Sequence, residues 1–346
     1  MRLSDVAKRV GGKLVGADTD VEDICSARRP RPGCLAYAET QKAAEQLQNK
    51  DVAAVLCPPI DPPLRKPMVT VTSPKEGLAR ALALFRPPAV PPPLIHSTAG
   101  VSSKAHVAEG VSVGAFAVVE EGAHIGAFTI VYPFVYIGRN VTVGERCTLY
   151  PGAVVMENCT LGNEVTVLPG AVVGGEGFGF YQDADGTSHK IPQRGGVHMK
   201  DHSEVGANST IDSGTIEPTI IGPNSKLDNL IQIGHNCELG AGVLVAAQCG
   251  IAGSTLVGDG VIIGPQAGLR DHIKVGERAV IVGRSAVFGD LPPKVTVSGY
   301  PASNHQRALR VLAITQQLPE ILERLKQLEK KLADLESSGG QKGKPA

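Results

Sequence analysis

A branched aliphatic residue stands at every sixth position through most of this chain, and few folds tolerate that period. From Val101 the count runs Val107, Val113, Val119, Ile125, Val131, Ile137, Val143, Leu149, Val155, Leu161, Val167 and Val173 without a miss. It resumes at Ile221 and continues through Leu227, Ile233, Leu239, Val245, Ile251, Val257, Ile263, Leu269, Val275, Ile281 and Val287. An α-helix needs a repeat of about 3.6 and a plain strand a repeat of about two, so a strict six fits neither. It fits a mainly β chain built as a parallel β-helix of hexapeptides, each unit forming one short face of a coil. Stacked coils place each rung on the next at roughly 4.8 Å, the spacing of neighbouring strands. Every fully buried Val, Leu or Ile then contributes about 1.5–3 kcal/mol before the entropy of ordering is subtracted. Such an interior is narrow, in keeping with a chain that has no Trp and 4% aromatic residues. Glycine follows many rungs directly, as at Gly114, Gly126, Gly234 and Gly258. These glycines are expected to supply the positive φ that corners need.

The repeat divides the chain. Residues 1–97 lie outside it and read as a small α/β domain closed by a spacer. Leu3, Val6, Ala7 and Val10 have helical spacing and Gly11-Gly12 ends that helix. Strand-like runs at Val52–Leu56 and Met68–Val71 precede a second helix over Pro74–Phe85. RPPAVPPPLIH (86–96) reads as an extended proline-rich linker. The coils occupy 98–297, interrupted near 174–200, where GGEGFGF, YQDADGTSHK and IPQRGGVHMK suggest a hairpin turning at Asp185-Gly186. No Gly-Lys-Ser/Thr follows that glycine cluster, so it reads as a protruding loop and not a phosphate loop. A second short insertion sits at Glu217-Pro218-Thr219. Residues 298–346 form a helical extension in which Leu318, Ile321, Leu325, Leu328, Leu332 and Leu335 alternate three and four apart. Either a coiled coil or packing on a trimer satisfies that seam, and SSGGQKGKPA is expected to be disordered.

Charge and cysteine content narrow the function. Lys+Arg and Asp+Glu both number 34, so the chain lacks the cationic surplus that duplex nucleic acid demands. The start, MRLSDVAKRVGG, has no apolar signal core, and no apolar run is long enough to span a bilayer. Seven cysteines without a C-x-x-C pair read as reduced and mostly buried, which implies a cytoplasmic protein.

Chemistry must come from polar residues set on this bland scaffold. His235, in LDNLIQIGHNCELG, stands two residues past rung Ile233. Three hexapeptides to a coil put Gly253, in GIAGS, over His235. An imidazole beneath a glycine N–H pairs a general base with an oxyanion donor, the minimum for acyl transfer. His272 lies two coils up and one residue on, and Asp228 is the nearest carboxylate in sequence, placed to orient an imidazole. The competing reading is that these histidines decorate solvated corners. His198 and His202 find no third ligand at convincing spacing, so no metal site is expected.

GFGF (177–180), KIPQ (190–193), TIDSGTI (210–216), TIIG (219–222), LDNLIQIGHN (227–236), IAGS (251–254) and SGYPA (298–302) occur together and in order. In these segments the chain resembles the UDP-3-O-(3-hydroxyacyl)glucosamine N-acyltransferases of lipid A biosynthesis, within the left-handed β-helix superfamily. The resemblance implies a left-handed coil, a triangular section and a homotrimer. It implies that His235 is the general base, that Gly253 offers its N–H to the oxyanion, and that His272 lies near the nucleotide-sugar phosphates. It implies an acyl donor carried on the 4'-phosphopantetheine of acyl carrier protein, a UDP-sugar lipid acceptor, and no further cofactor. It also places Tyr37 against uracil in the N-terminal domain. The chain departs from the family pattern just beyond, with Thr40 and Ala43 where an Asn and a second aromatic are common.

Other readings are a different sugar O- or N-acyltransferase on this scaffold, a zinc carbonic anhydrase, or a non-catalytic β-helix. A separate N-terminal domain argues against the pathway's O-acyltransferase, and the carbonic anhydrase needs three convergent histidines.

Overall fold

The computed structural model describes residues 1–87, 91, 94–299 and 305–339. They form two compact units, divided between Pro91 and Pro92. The division precedes the start of the six-residue count because the coil stack already holds Leu94 and His96. Val113 N–H donates to Leu94 O, and His96 N–H donates to Val113 O.

In the first unit, helix α1 (Leu3–Val10) buries Leu3, Val6, Ala7 and Val10, the face that its spacing marks. Gly11, at φ 71°, ends it. Strands β1 (Lys13–Val15), β2 (Asp23–Ser26), β3 (Cys34–Tyr37), β4 (Ala54–Cys57) and β5 (Met68–Thr70) form one sheet in the order β1-β5-β4-β3-β2. The last four run parallel and β1 antiparallel to β5. Helices α2 (Gln41–Glu45) and α3 (Pro74–Phe85) complete the unit. The sheet is covered on both faces: Leu35, Ala54 and Leu56 meet one apolar cluster, and Ala36, Val55 and Cys57 meet the other.

The second unit is the β-helix. Three parallel sheets of nine, ten and ten two- to four-residue strands stack with residue i+18 over residue i, as Ile125 under Val143 and Val131 under Leu149. Each coil sends two side chains inward per face. One is the rung, and the other, two residues earlier, is often small: Ala117, Ala123, Cys147, Ala153, Cys159, Ser225, Cys237 and Cys249 are all buried. Most polar members of this second column are satisfied by carbonyls of the next coil, and Ser203 and Ser285 by carbonyls three residues earlier in their own. Thr129 Oγ1 donates to Gly144 O at 2.9 Å and Ser225 Oγ to Gly240 O at 2.8 Å. The cysteine thiols repeat the pattern, Cys237 Sγ to Ala252 O at 3.1 Å and Cys249 Sγ to Gly264 O at 3.0 Å. The four coil cysteines, expected as buried apolar residues, therefore belong to the core.

Two expectations need correction. Apart from Gly174, after Val173, the glycines that directly follow the rungs do not supply positive φ. The left-handed residue comes three positions after most rungs and is often not glycine: Phe116, Phe128, Asn140, Asn236 and His272 have φ of 58°, 58°, 56°, 56° and 56°. Glycine follows the rung because the next coil passes too close for a side chain. A Cβ on Gly234 would stand 2.6 Å from Gly253 N, and one on Gly258 2.7 Å from Glu277 N. Nor does the coil stack stop between Val173 and Ile221. Leu161 stacks under Met199, Val167 under Val205 and Val173 under Ile211, one further complete coil. The Leu161–Met199 step is 38 residues in place of 18, so 20 inserted residues shift the count out of phase. Met199 then stacks under Ile221, 22 residues on, which absorbs the insertion at Glu217-Pro218.

The larger insertion carries an antiparallel hairpin, Phe180–Gln182 against Ser188–Lys190, turning at Gly186 with φ 80°. Beyond the coils, α4 (His305–Gln316) is followed by α5 (Leu318–Gly339). The seam residues Leu318, Ile321, Leu325, Leu328 and Leu332 are exposed within this single chain. Helix α5 runs into the segment expected to be disordered, whose last residues, 340–346, lie outside the described ones, as does part of the 86–96 linker.

Candidate active site

His235 stands where the strand Gln232–Ile233 turns the corner toward Glu238–Leu239. The register Ile211–Ile233–Ile251 sets Ser213 beneath it and Gly253 above. Gly253 lies against the imidazole: a Cβ there would fall 2.8 Å from Nε2 and 3.0 Å from Cε1. On another side Gly177, from the base of the inserted hairpin, approaches so closely that its Cβ would lie 2.7 Å from His235 Cβ. Two glycines therefore hold the ring, and a side chain at either would displace it.

The proton on that ring is assigned by the hydrogen-bond network. Nδ1 lies 3.1 Å from Asn236 Oδ1. Asn236 is oriented from two sides, since Oδ1 accepts from Thr215 N at 3.0 Å and Nδ2 donates to Glu217 O at 3.0 Å. The Thr215 hydroxyl is shared between Asn236 Oδ1 and Gln193 Oε1. An amide oxygen has no proton to give, so Nδ1 donates and Nε2 keeps its lone pair. Nε2 is the atom beside Gly253. The insertion at Glu217 thus has a task, because its carbonyl fixes the asparagine that fixes the base.

Around the ring opens a hollow of about 620 Å³, lined by Glu176, Gly177, Phe178, Phe180, Lys190, Asp212, Gln232, Gly234, Gly253, Asp271 and His272 as well as His235. Lys190 Nζ pairs with Glu176 at 2.8 Å, which holds that carboxyl below its ordinary range. Burial pushes the Asp212 carboxyl up, against a hydrogen bond from Gln232 and the nearby His235. A slightly larger open groove, about 690 Å³, follows Ile220, Glu238, Leu256 and Lys274 on one coil face. No histidine lines it.

Of the residues singled out in the sequence, His235, Gly253 and His272 come together. His272 N–H donates to Gly253 O at 3.1 Å. Asp228 does not join them: its carboxylate accepts from Asn229 N and Ala247 N and lines a hollow on another face. Asp212, with Glu176 and Asp271, is a carboxylate that does share the hollow with His235. It lies within the TIDSGTI segment, but the 22-residue coil that brings it there hides the relation from a count of 18. Tyr37 and Thr40 belong to the other compact unit. Tyr37 ends β3 half-buried, its phenol pushed up by burial and by Glu39, and Thr40 Oγ1 caps α2 by accepting from Ala43 N at 3.2 Å. His198 lies in a strand between Thr160 and Ile220, whereas His202 pairs with Glu164 at 3.2 Å. Among the described residues no group of three or more His, Cys, Asp or Glu is placed to hold a metal.

Known proteins resemble this chain in sequence and fold. Residues 116–151 and 140–175 match the bacterial transferase hexapeptide family, described as six repeats. A UDP-3-O-acylglucosamine N-acyltransferase of Gloeobacter violaceus is 41% identical over 97% of this chain and 98% of its own. This chain belongs to the UDP-3-O-acylglucosamine N-acyltransferase family. Members from Methylobacillus flagellatus and Coxiella burnetii are 38% and 32% identical, over 99% and 95% of this chain and 98% and 97% of theirs. The crystal structure of Arabidopsis UDP-N-acetylglucosamine acyltransferase superposes with a TM-score of 0.53 at 26% identity, covering 60% of this chain and 71% of that one. The fold is accordingly the left-handed parallel β-helix, and the chain is an acyltransferase. In this acyltransferase the hollow beside His235 is the place where an imidazole and the backbone of Gly253 meet.

Proposed function

We propose that the chain transfers a 3-hydroxyacyl group from the phosphopantetheine thioester of acyl carrier protein to the 2-amine of UDP-3-O-(3-hydroxyacyl)glucosamine, a step of lipid A biosynthesis. The observation that carries this reading is the His235 imidazole, its Nε2 lone pair freed by Asn236 and set against Gly253. An ammonium is no nucleophile. The neutral amine attacks the thioester carbonyl, His235 Nε2 takes the proton from the attacking nitrogen, and the Gly253 N–H meets the oxyanion. Collapse of the tetrahedral intermediate breaks the C–S bond, and the imidazolium returns its proton to the departing thiolate. His272, at the rim of the same hollow, acts on substrate phosphates, and Tyr37 holds the base in the N-terminal unit.

The active species in this reading is a cytoplasmic homotrimer. Leu244 and Ile262, neighbours on one coil face, are 45% and 44% exposed, and a second copy would cover them. No helix among the described residues is long and apolar enough to cross a membrane. Mass spectrometry of products from a panel of acyl carrier proteins with UDP-3-O-acylglucosamine tests the reaction. An amide-linked 3-hydroxyacyl product is expected, whereas an ester product, or use of acetyl-CoA alone, would refute it. Light scattering tests the assembly, and a stable monomer at micromolar concentration would contradict it.

A further inference from the structure

Three carboxylates line the hollow around His235, and two of them have cations of their own. Glu176 pairs with Lys190 at 2.8 Å, and Asp271 lies 3.4 Å from the Arg270 guanidinium. Asp212 has no lysine or arginine ion-pair partner among the described residues; its side-chain partner is the uncharged Gln232 amide. It stands beside Gly175 in the coil below and next to Gly234 in the coil above, one residue from His235. Neither glycine covers it with a side chain. A half-buried carboxylate open to a ligand hollow and lacking a protein cation is costly unless the ligand supplies one.

We propose that the Asp212 carboxylate receives the nitrogen of the acceptor amine, a role that rests on the N-acyl transfer proposed above. The amine bears positive charge twice along that reaction. It arrives in water as an ammonium, and this proton leaves to solvent before attack. It becomes cationic again when the neutral amine adds to the thioester, because the new C–N bond leaves two protons on a four-bonded nitrogen. Asp212 faces the nitrogen on both occasions and takes up no proton itself. His235 removes the second proton and delivers it to the thiolate as the C–S bond breaks. The tetrahedral intermediate thus meets charge complementarity at both ends, the Gly253 N–H at its oxyanion and Asp212 at its nitrogen.

The test is a ligand comparison with Asp212→Asn, which preserves the shape of the side chain. Titration calorimetry without acyl donor measures binding of UDP-3-O-(3-hydroxyacyl)glucosamine and of the glucose counterpart, in which a hydroxyl replaces the amine. The variant should bind the amine about 10- to 100-fold more weakly, the worth of one charge-assisted hydrogen bond, and the hydroxyl ligand within about twofold of wild type. Its kcat should fall as well, since the contact persists in the intermediate. Unchanged binding of the amine, or equal weakening of both ligands, would overturn the assignment, the second result marking a merely structural Asp212. Wild-type enzyme that forms no amide product would instead overturn the underlying N-acyl transfer, and circular dichroism confirms that the variant is folded.

Discussion

The Nδ1 atom of His235 and the Oδ1 atom of Asn236 are 3.1 Å apart, and that one contact decides which nitrogen of the neutral ring carries the proton. Asn236 is itself locked by Thr215 and by the Glu217 carbonyl, so the imidazole is held in one tautomer before substrate arrives. His235→Ala should lower kcat by roughly 10²–10⁴-fold, the usual contribution of a general base. Asn236→Ala leaves the base present but its proton unassigned and should cost about 10- to 100-fold. Steady-state kinetics with circular dichroism as the folding control measures both. A folded His235→Ala enzyme retaining more than about a tenth of wild-type turnover would remove His235 from the mechanism.

Gly253 leaves no room for a side chain beside the His235 ring. A methyl group there would lie 2.8 Å from His235 Nε2, closer than a real Cβ approaches anything. Gly253→Ala must therefore push the imidazole aside, and a displacement of about 1 Å is enough to lose roughly 10² in rate. The neighbouring rung Ile251 stays buried, so the coil should survive. Comparable turnover in Gly253→Ala and wild type would show that the ring does not work where it lies.

Much of the fold was legible in the ladder because each rung is buried by the same neighbour, the residue one coil away. The reading failed where insertions broke the phase. Met199, Val205 and Ile211 are ordinary rungs, but 20 extra residues before them and four after put them out of step with both runs. For the same reason Gly253 over His235 was visible, separated by 18 residues, and Asp212 was not, because its coil is 22 long. Asp228 is the nearest carboxylate to His235 in sequence, yet seven residues along a coil lead around a corner to another face. The role of glycine after a rung was misread for a different cause. Close approach of the next coil is a property of the stack, whereas φ is a property of one residue.

In the N-terminal unit Tyr37 ends a parallel strand at its carboxyl end, the edge where open α/β sheets bind ligands. Tyr37→Ala should raise KM for the nucleotide sugar and leave kcat nearly unchanged, the signature of binding that is equal in ground and transition states. His272→Ala should likewise act more on KM than on kcat. Collapse of kcat with KM held, in either variant, would contradict these assignments.

The buried thiols should contribute to the loss of stability at alkaline pH. Burial pushes Cys147 and Cys237 up to about 11 and Cys159 to about 12, from an ordinary 9.0. Below pH 9.0 the folded and unfolded chains both keep these protons, and the thiols add no pH dependence. Above it the unfolded chain ionises first and binds fewer protons than the folded one, so stability falls as pH rises toward 11–12. The same inward column holds alanine at Ala153 and Ala171, which makes Cys147→Ala, Cys159→Ala and Cys237→Ala compatible with the stack. Thermal unfolding of wild type and of the triple variant between pH 8 and about pH 11 separates thiols from other titrating groups. The wild-type Tm should drop more steeply with pH than that of the variant. Parallel curves would mean that the thiols ionise as readily in the folded chain as in the unfolded one.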